Sequence, residues 1–247
     1  MNILYFDEID STNNRAKQLG EEGAEEGTVV IADLQTDGRG RVGRSFDSPK
    51  GEGLYLSVLL RPAVRPDAAS QLTLLAALAV RKALLETTGL ETMIKWPNDI
   101  VRHGKKLCGI LTEMSLIGGS VSYVVVGIGV NVHQKTFPEE LSAVATSVFL
   151  ENGKDLSRKA LSDRLLTAFF SYYEEFLKTR DLSFVREEYD SFLVNRGEPV
   201  HVLDPKEPYS GIAEGIDENG GLLVKTGEKI RVVKSGEVSV RGVYGYV

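Results

Sequence analysis

The sequence predicts an α+β protein in two parts, a larger region of strands and helices over residues 1–195 and a small all-strand unit over 196–247. Three observations carry this. Two long stretches, "DAASQLTLLAALAVRKALLETTG" and "SRKALSDRLLTAFFSYYEEFLKT", space their apolar residues as amphipathic helices do. Between them, "TMIKWPNDIVRHGKKLCGILTEMSLIGGSVSYVVVGIGVNV" reads as a meander of strands whose turns fall at His103-Gly104 and Gly118-Gly119. From Arg196 onward, short strands, an Asn219-Gly220 hairpin signal and turn residues at roughly eight- to twelve-residue intervals describe a small β-barrel.

Taken in order, Ile3 to Phe6 form a first strand, and Ser11 or Thr12 caps a helix that ends near Gly20 or Gly23. The β-branched run from Val29 to Ala32 is a buried strand. Next comes "DGRGRVGRSF" at 37–46, whose core "GRGRVG" satisfies the letters of a dinucleotide-binding glycine loop. That motif requires a helix to open inside the glycine run. Here Pro49, Gly51 and Gly53 lead instead into a strand from Leu54 to Leu60, so the dinucleotide reading fails. Pro66 and Asp67 introduce one long helix, with an apolar stripe through Leu72, Leu75, Ala79 and Leu84 and a stop at Gly89. "PEELSAVATSVFLENG" contributes one short helix, Ser157 caps the next long one, and "SFVREEYDSF" adds another.

Composition narrows the function classes. With 247 residues and 42% hydrophobic content the chain can bury a substantial core. A net charge of -6 disfavours bulk nucleic-acid and anionic-membrane binding. Cys108 is the single cysteine, which excludes an internal disulfide, and His103, His133 and His201 lack zinc-type spacing. A reducing cytoplasm fits best, because there is neither a signal-like N-terminus nor a run of about 18 apolar residues.

Polar chemistry concentrates in a few places. In the loop, Arg39, Arg41 and Arg44 alternate with Gly38, Gly40 and Gly43, a pattern suited to a flexible lid over an anion, but also to a solvated or nucleic-acid-binding basic segment. In "KWPNDI", Lys95, Asn98 and Asp99 stand at a strand end, ready for a phosphate, a hydrogen bond and a metal, or forming a self-satisfied turn with Trp96 in the core. In "KKLCGIL", strand alternation puts Lys106 and Cys108 on one face and Leu107 and Gly109 on the other. Lys106 either holds an anion or guards a strand edge, and Cys108, with no assignable base, is a small buried hydrophobe. In "VVGIGVNV", Gly127 and Gly129 mark close approach of a ligand or of neighbouring backbone, with Asn131 two residues on.

The order and spacing of "DSTN" (10–13), "QTDGRGRVGR" (35–44), "KWPND" (95–99), "KLCGIL" (106–111) and "GIGVN" (127–131), with "FLVNRGEPV" (192–200), together resemble the biotin protein ligases. The resemblance implies a class II aminoacyl-tRNA synthetase-like mixed sheet with flanking helices, followed by an SH3-like barrel. It implies two-step chemistry, in which biotin and ATP give biotinyl-5′-AMP and a lysine of a biotin carboxyl carrier protein domain then takes the acyl group. The resemblance implies biotin contacts on Ser11, Thr12, Asn13, Gln35, Arg39, Gly40, Arg41, Lys106 and Gly109, with Arg41 and Lys106 also catalytic. It implies ATP contacts on Arg44, Phe46, Lys95, Asn98, Asn131 and Arg196, and Asp99 as the ligand for Mg2+. Phe46 stands where family members often carry tryptophan. Some relatives add an N-terminal DNA-binding domain; this chain opens on the catalytic region, so the expectation is a ligase without DNA binding or repressor function. A homodimer is compatible with the sequence. Two other readings stand beside this one, a lipoate-type ligase or acyltransferase of related fold, and a non-catalytic nucleic-acid binder using the arginine loop.

Overall fold

Alternation of apolar side chains builds the central sheet of the computed structural model, which describes residues 1–204, 206–234 and 239–242. Parts of the predicted barrel, residues 205, 235–238 and 243–247, lie outside the described residues. The sheet comprises β1 (Asn2–Phe6), β2 (Thr28–Ala32), β3 (Gly53–Leu60), β4 (Met93–Lys95), β5 (Asp99–Arg102), β6 (Lys105–Ile117) and β7 (Ser120–Asn131). Their spatial order is β1-β2-β3-β7-β6-β5-β4. Only the β1–β2 pair is parallel; the other neighbours run antiparallel.

The two faces of this sheet differ. Leu54, Leu56, Val58 and Leu60 of β3 and Val124, Val126, Ile128 and Val130 of β7 belong to the main core. They face α3 (Leu72–Thr88) and α6 (Arg158–Thr179). Each large aliphatic side chain fully buried here contributes about 1.5–3 kcal/mol. The opposite face is covered by α1 (Thr12–Glu21), whose Ala16 and Leu19 meet Val30, Leu59, Tyr123 and Val125 in a smaller core. Beyond that cluster the same face carries Gly127 and Gly129, and a hollow opens.

The predicted single helix from Pro66 is interrupted. It forms α2 (Pro66–Ala69) and α3, separated at Ser70-Gln71. There Ser70 Oγ donates to Asp67 O, while Thr73 N and Leu74 N reach back only three residues, to Ser70 O and Gln71 O. A serine that bonds its own backbone competes with the helix ladder. The Pro66–Thr88 run is long and apolar enough to cross a membrane by length and composition, but 78% of its 18-residue apolar stretch is buried inside the fold, as in a core helix. The segment expected to give one short helix gives two, α4 (Glu139–Ser142) and α5 (Val148–Asn152), because Ser147 Oγ accepts from Leu150 N and starts a second turn. Ser157 caps α6 as expected, accepting from Ala160 N, and α7 (Arg186–Phe192) follows.

The C-terminal strands β8 (Pro199–Leu203), β9 (Tyr209–Ile216), β10 (Leu222–Thr226), β11 (Lys229–Val233) and β12 (Ser239–Gly242) form an antiparallel sheet in the order β11-β10-β9-β8-β12. Three hydrogen bonds fasten it to the larger region: Trp96 Nε1 to Gly220 O (3.0 Å), Ile216 N to Asp190 Oδ1 (2.8 Å) and Leu182 N to Glu218 O (2.7 Å). Burial pushes the Asp190 carboxyl above its ordinary value, against the pull of the Ile216 N–H and of Arg196 and Arg186. Trp96→Phe keeps most of the buried ring and leaves Gly220 O without this donor. It is expected to cost about 1–3 kcal/mol, read as a lowered urea midpoint; an unchanged midpoint contradicts the fastening role.

A polar pocket beneath the glycine-arginine loop

Two distant segments meet at the start of α1. Ile9 N and Thr36 N exchange backbone hydrogen bonds with Leu34 O and Ile9 O, which brings Gln35 beside Ser11 and Thr12. Ser11 occupies the N-cap position but makes no side-chain cap; Gln35 Oε1 instead accepts from Thr12 N (2.9 Å) and from Thr12 Oγ1 (3.0 Å). A helix-start N–H, usually satisfied locally, is thus used to hold a strand-end side chain. Gln35 Nε2 donates on to Ser48 Oγ, and Ser48 Oγ to Phe46 O.

The loop folds on itself. Gly40 N donates to Arg44 O (2.7 Å) and Phe46 N to Gly38 O (2.7 Å), with a single helical turn over Arg41–Gly43. No α-helix opens in the glycine run, and β3 is the next strand, as the failed dinucleotide test requires. A side chain at Gly38 would put its Cβ 2.2 Å from Phe46 O, so glycine is required for this closure. Arg41 NH1 donates to Asn98 Oδ1 (2.9 Å), which ties the loop to the β4–β5 turn. Burial lowers the Arg41 pKa from its ordinary value, Asp99 raises it, and Arg44 lowers it further. Arg39 NH1 donates to Asn14 Oδ1 (3.1 Å) and lies 3.8 Å from Glu113 Oε1.

Beneath the loop lies a small polar pocket, open at its mouth. Ser11, Thr12, Asn13, Gln35, Arg39, Gly40, Arg41, Lys106 and Gly109 all line it, as do Phe46 and Asn98. The glycines make the room: a Cβ at Gly127 would sit 2.0 Å from Asn13 Oδ1, and one at Gly129 would sit 2.6 Å from the Phe46 ring. The close approach read from these glycines is therefore by two side chains, Asn13 and Phe46.

The alternation predicted for "KKLCGIL" is overturned. Val101 pairs with Lys106 and Ile100 with Cys108, which leaves Leu107 as an extra, bulged residue. The bulge resets the parity, so Lys106 shares the pocket face with Gly109, while Leu107 and Cys108 both enter the main core. Burial pushes the Cys108 thiol well up, and it is no nucleophile. Lys106 Nζ lies 2.7 Å from Asp99 Oδ1, and Asn98 Nδ2 donates to the same oxygen (3.1 Å) and to Ile110 O.

Five residues assigned to nucleotide or metal stand outside the pocket lining. Lys95 is buried at the end of β4, opposite Asp99 in the hairpin register. Asp99 lies behind Lys106, Arg44 is exposed on the loop, and Asn131 is buried and donates to Thr146 O. Arg196 is exposed and its Nε donates to Glu214 O. The sequence reading missed Ser57, Glu113 and Lys17. Ser57 Oγ lies 2.6 Å from Asn13 Oδ1 and 2.8 Å from Thr12 Oγ1. Glu113 accepts from Asn13 Nδ2 and Lys17 Nζ, each at 2.9 Å. Their signal was the strand period: Leu111 and Glu113 follow Gly109 on one face of β6, and Ser57 is the lone polar residue of β3.

A neutral polar floor with cations at its mouth, on the glycine-bearing face of a mixed sheet, defines a protein that holds a small ligand with an anionic end. Comparison with known proteins narrows this. The model of the biotin/lipoate A/B protein ligase family matches residues 5–131, and that of the biotin protein ligase C-terminal domain matches residues 197–241. The bifunctional ligase/repressor BirA of Bacillus subtilis is 38% identical, over 96% of this chain and 74% of its own length. The biotin–[acetyl-CoA-carboxylase] ligase of Paracoccus denitrificans is 34% identical, over 94% of this chain and 98% of its own. The structure of the Aquifex aeolicus biotin protein ligase in complex with biotin and ATP superposes with a TM-score of 0.87 at 36% identity, covering 98% of this chain and 99% of that one. The chain belongs to the biotin/lipoate A/B protein ligase family.

Gly127→Ala tests the floor directly. The added methyl would displace Asn13, with an expected loss of about 1–3 kcal/mol in chemical denaturation; full stability would show that Asn13 is not held against the strand.

Proposed function

We propose that this protein is an ATP-dependent ligase that activates biotin as biotinyl-5′-AMP and transfers it to a lysine of a biotin carboxyl carrier protein domain. The carrying observation is the meeting in one pocket of neutral hydrogen-bonding groups, on Ser11, Thr12, Asn13 and Gln35, with two cations, Arg41 and Lys106. A cyclic urea needs paired donors and acceptors without charge, whereas a carboxylate beside a phosphoryl group needs cations. Similarity to ligases described with biotin and ATP supports the same pairing.

In the first step a biotin carboxylate oxygen attacks the α-phosphorus of ATP, and the bond to the leaving pyrophosphate breaks. Lys106 and Arg41 stabilise the negative charge that gathers on the transferring phosphoryl oxygens. In the second step the neutral amine of the carrier lysine attacks the acyl carbon, the C–O bond to AMP breaks, and the amine loses a proton. Between the steps, the loop from Arg39 to Arg41 with Gly109 encloses the anhydride and excludes water. Phe46 and Asn98, at the pocket, with Arg44, Lys95, Asn131 and Arg196 around it, are assigned to the nucleotide.

Among the described residues no group of three His, Cys, Asp or Glu side chains is placed to hold a metal ion. Mg2+ would enter with ATP, held mainly by its phosphates, and Asp99, whose Oδ1 is paired with Lys106 and Asn98, is the one carboxylate assigned to it. Bound there it would neutralise phosphate charge.

The finer architecture we infer is a class II aminoacyl-tRNA synthetase-like catalytic domain over 1–195 and an SH3-like barrel over 196–247. The setting is cytoplasmic, with a possible homodimer and no DNA partner. A lipoate-type activity is disfavoured by the floor, since an apolar dithiolane would leave its polar groups unpaired. A covalent acyltransferase is disfavoured by the inert Cys108.

Lys106→Ala is expected to lower adenylate formation about 10²–10³-fold, measured as pyrophosphate release; an unchanged rate removes Lys106 from the mechanism. Arg41→Gly cuts the tie to Asn98 and is expected to release the adenylate, so that bystander proteins become labelled in a mass-spectrometric assay. Retained selectivity for the carrier contradicts the enclosing role.

A further inference from the structure

A continuous chain of hydrogen bonds runs round the pocket from Glu113 to Phe46 O, through Asn13, Ser57, Thr12, Gln35 and Ser48. We propose that Glu113 is a positioning residue that sets the direction of this chain, and so keeps Thr12 Oγ1 open to accept an N–H from the ligand head group. The proposal rests on the reading of biotin as ligand and deepens it: the group recognised is the ureido N–H.

The direction follows from counting protons. An ionised carboxylate only accepts, so Asn13 must turn its NH2 toward Glu113 Oε2 (2.9 Å), where Nδ2 also reaches Leu111 O (3.3 Å). Asn13 Oδ1 then faces Ser57 Oγ at 2.6 Å, and Ser57 must direct its single proton there. Ser57 Oγ is also 2.8 Å from Thr12 Oγ1, but it has no second proton to give. At the far end Thr12 N fixes Gln35 Oε1 as an acceptor, which turns Gln35 Nε2 to Ser48. The Thr12 hydroxyl lies between two fixed ends. Its proton has two acceptors, Gln35 Oε1 and Ser57 Oγ, and its lone pairs remain open to the pocket it lines.

Glu113 is built to stay ionised. Burial opposes its charge, but the hydrogen bonds from Asn13 and Lys17 and the charges of Lys17 and Arg39 outweigh burial and hold its carboxyl below the ordinary value. The Asn13 side chain is held in place, since its amide occupies the space a Cβ would take at Gly127.

Glu113→Gln retains the shape and removes the shorter, charged of the two contacts that orient the Asn13 amide, leaving only the 3.3 Å bond to Leu111 O. The introduced side-chain amide can donate to Asn13 Oδ1, the Asn13 amide can turn over, and the released Ser57 proton can occupy Thr12 Oγ1. The expected result is a rise in KM for biotin of roughly 10- to 100-fold, with kcat at saturating biotin within about threefold, because the reacting end is untouched. Desthiobiotin, which keeps the ureido group, should lose as much. In a Ser57→Ala background no proton is left to block Thr12, and the same Glu113→Gln change should raise KM by less than about threefold. Equal KM for wild type and Glu113→Gln overturns the proposal, and so does a full-sized effect in the Ser57→Ala background. Independently of any variant, NMR of 15N-labelled wild type should place the Asn13 side-chain amide protons beside the Glu113 methylenes; finding them beside Ser57 overturns it. Wild-type calorimetry separates the two levels: biotin binding with no Glu113→Gln effect defeats the positioning role alone, while absence of biotin binding defeats the functional reading with it.

Discussion

Strand positions 109, 127 and 129 carry hydrogen where their neighbours carry side chains, and the site is assembled in the space they leave. The Lys106 ammonium lies 2.9 Å from where a Cβ at Gly109 would be, Asn13 fills the space over Gly127, and the Phe46 ring covers Gly129. On the other face of β7 the alternate residues are Val124, Val126, Ile128 and Val130, all in the main core. One strand thus anchors the fold with one face and yields room for a ligand with the other. Interiors are packed densely enough that such room cannot arise by loose packing and has to be encoded as missing atoms.

The loop and the C-terminal sheet are linked through a single turn. Asn98 holds Arg41, and two residues earlier Trp96 donates to Gly220 O in the C-terminal unit. Asp99, next in line, holds Lys106. The β4–β5 turn therefore places Arg41 and Lys106 while being fixed from behind by the second sheet.

Much of this was legible in the sequence. The run "VVVGIGVN" announces a strand with one apolar face and one glycine face, and "DSTN" before a helical pattern places three polar residues at a helix start. What escaped depended on register or on distant partners. The bulge at Leu107 is invisible without knowing what β5 pairs with, and it inverted the expected facing of Lys106 and Cys108. Ser57 is hidden in "GLYLSVLL", which reads as a wholly buried strand, and its meaning comes only from Asn13 and Thr12, 44 and 45 residues away. The break at Ser70-Gln71 was masked by strong helix formers on its C-terminal side. Propensity identifies an element, but it does not say where a side chain will compete with the backbone.

In the proposed mechanism the glycine-arginine loop closes over the pocket when the acyl-adenylate forms beneath it. Its arginines make the loop readable by trypsin, which cuts after Arg39 or Arg41 only when they can leave the pocket wall they line. Loop cleavage should be timed by mass spectrometry for the protein alone, with biotin, and with biotin plus magnesium-ATP. Cleavage is expected to slow by about tenfold or more in the last case, in proportion to the closed fraction. Equal cleavage rates in all three would contradict closure.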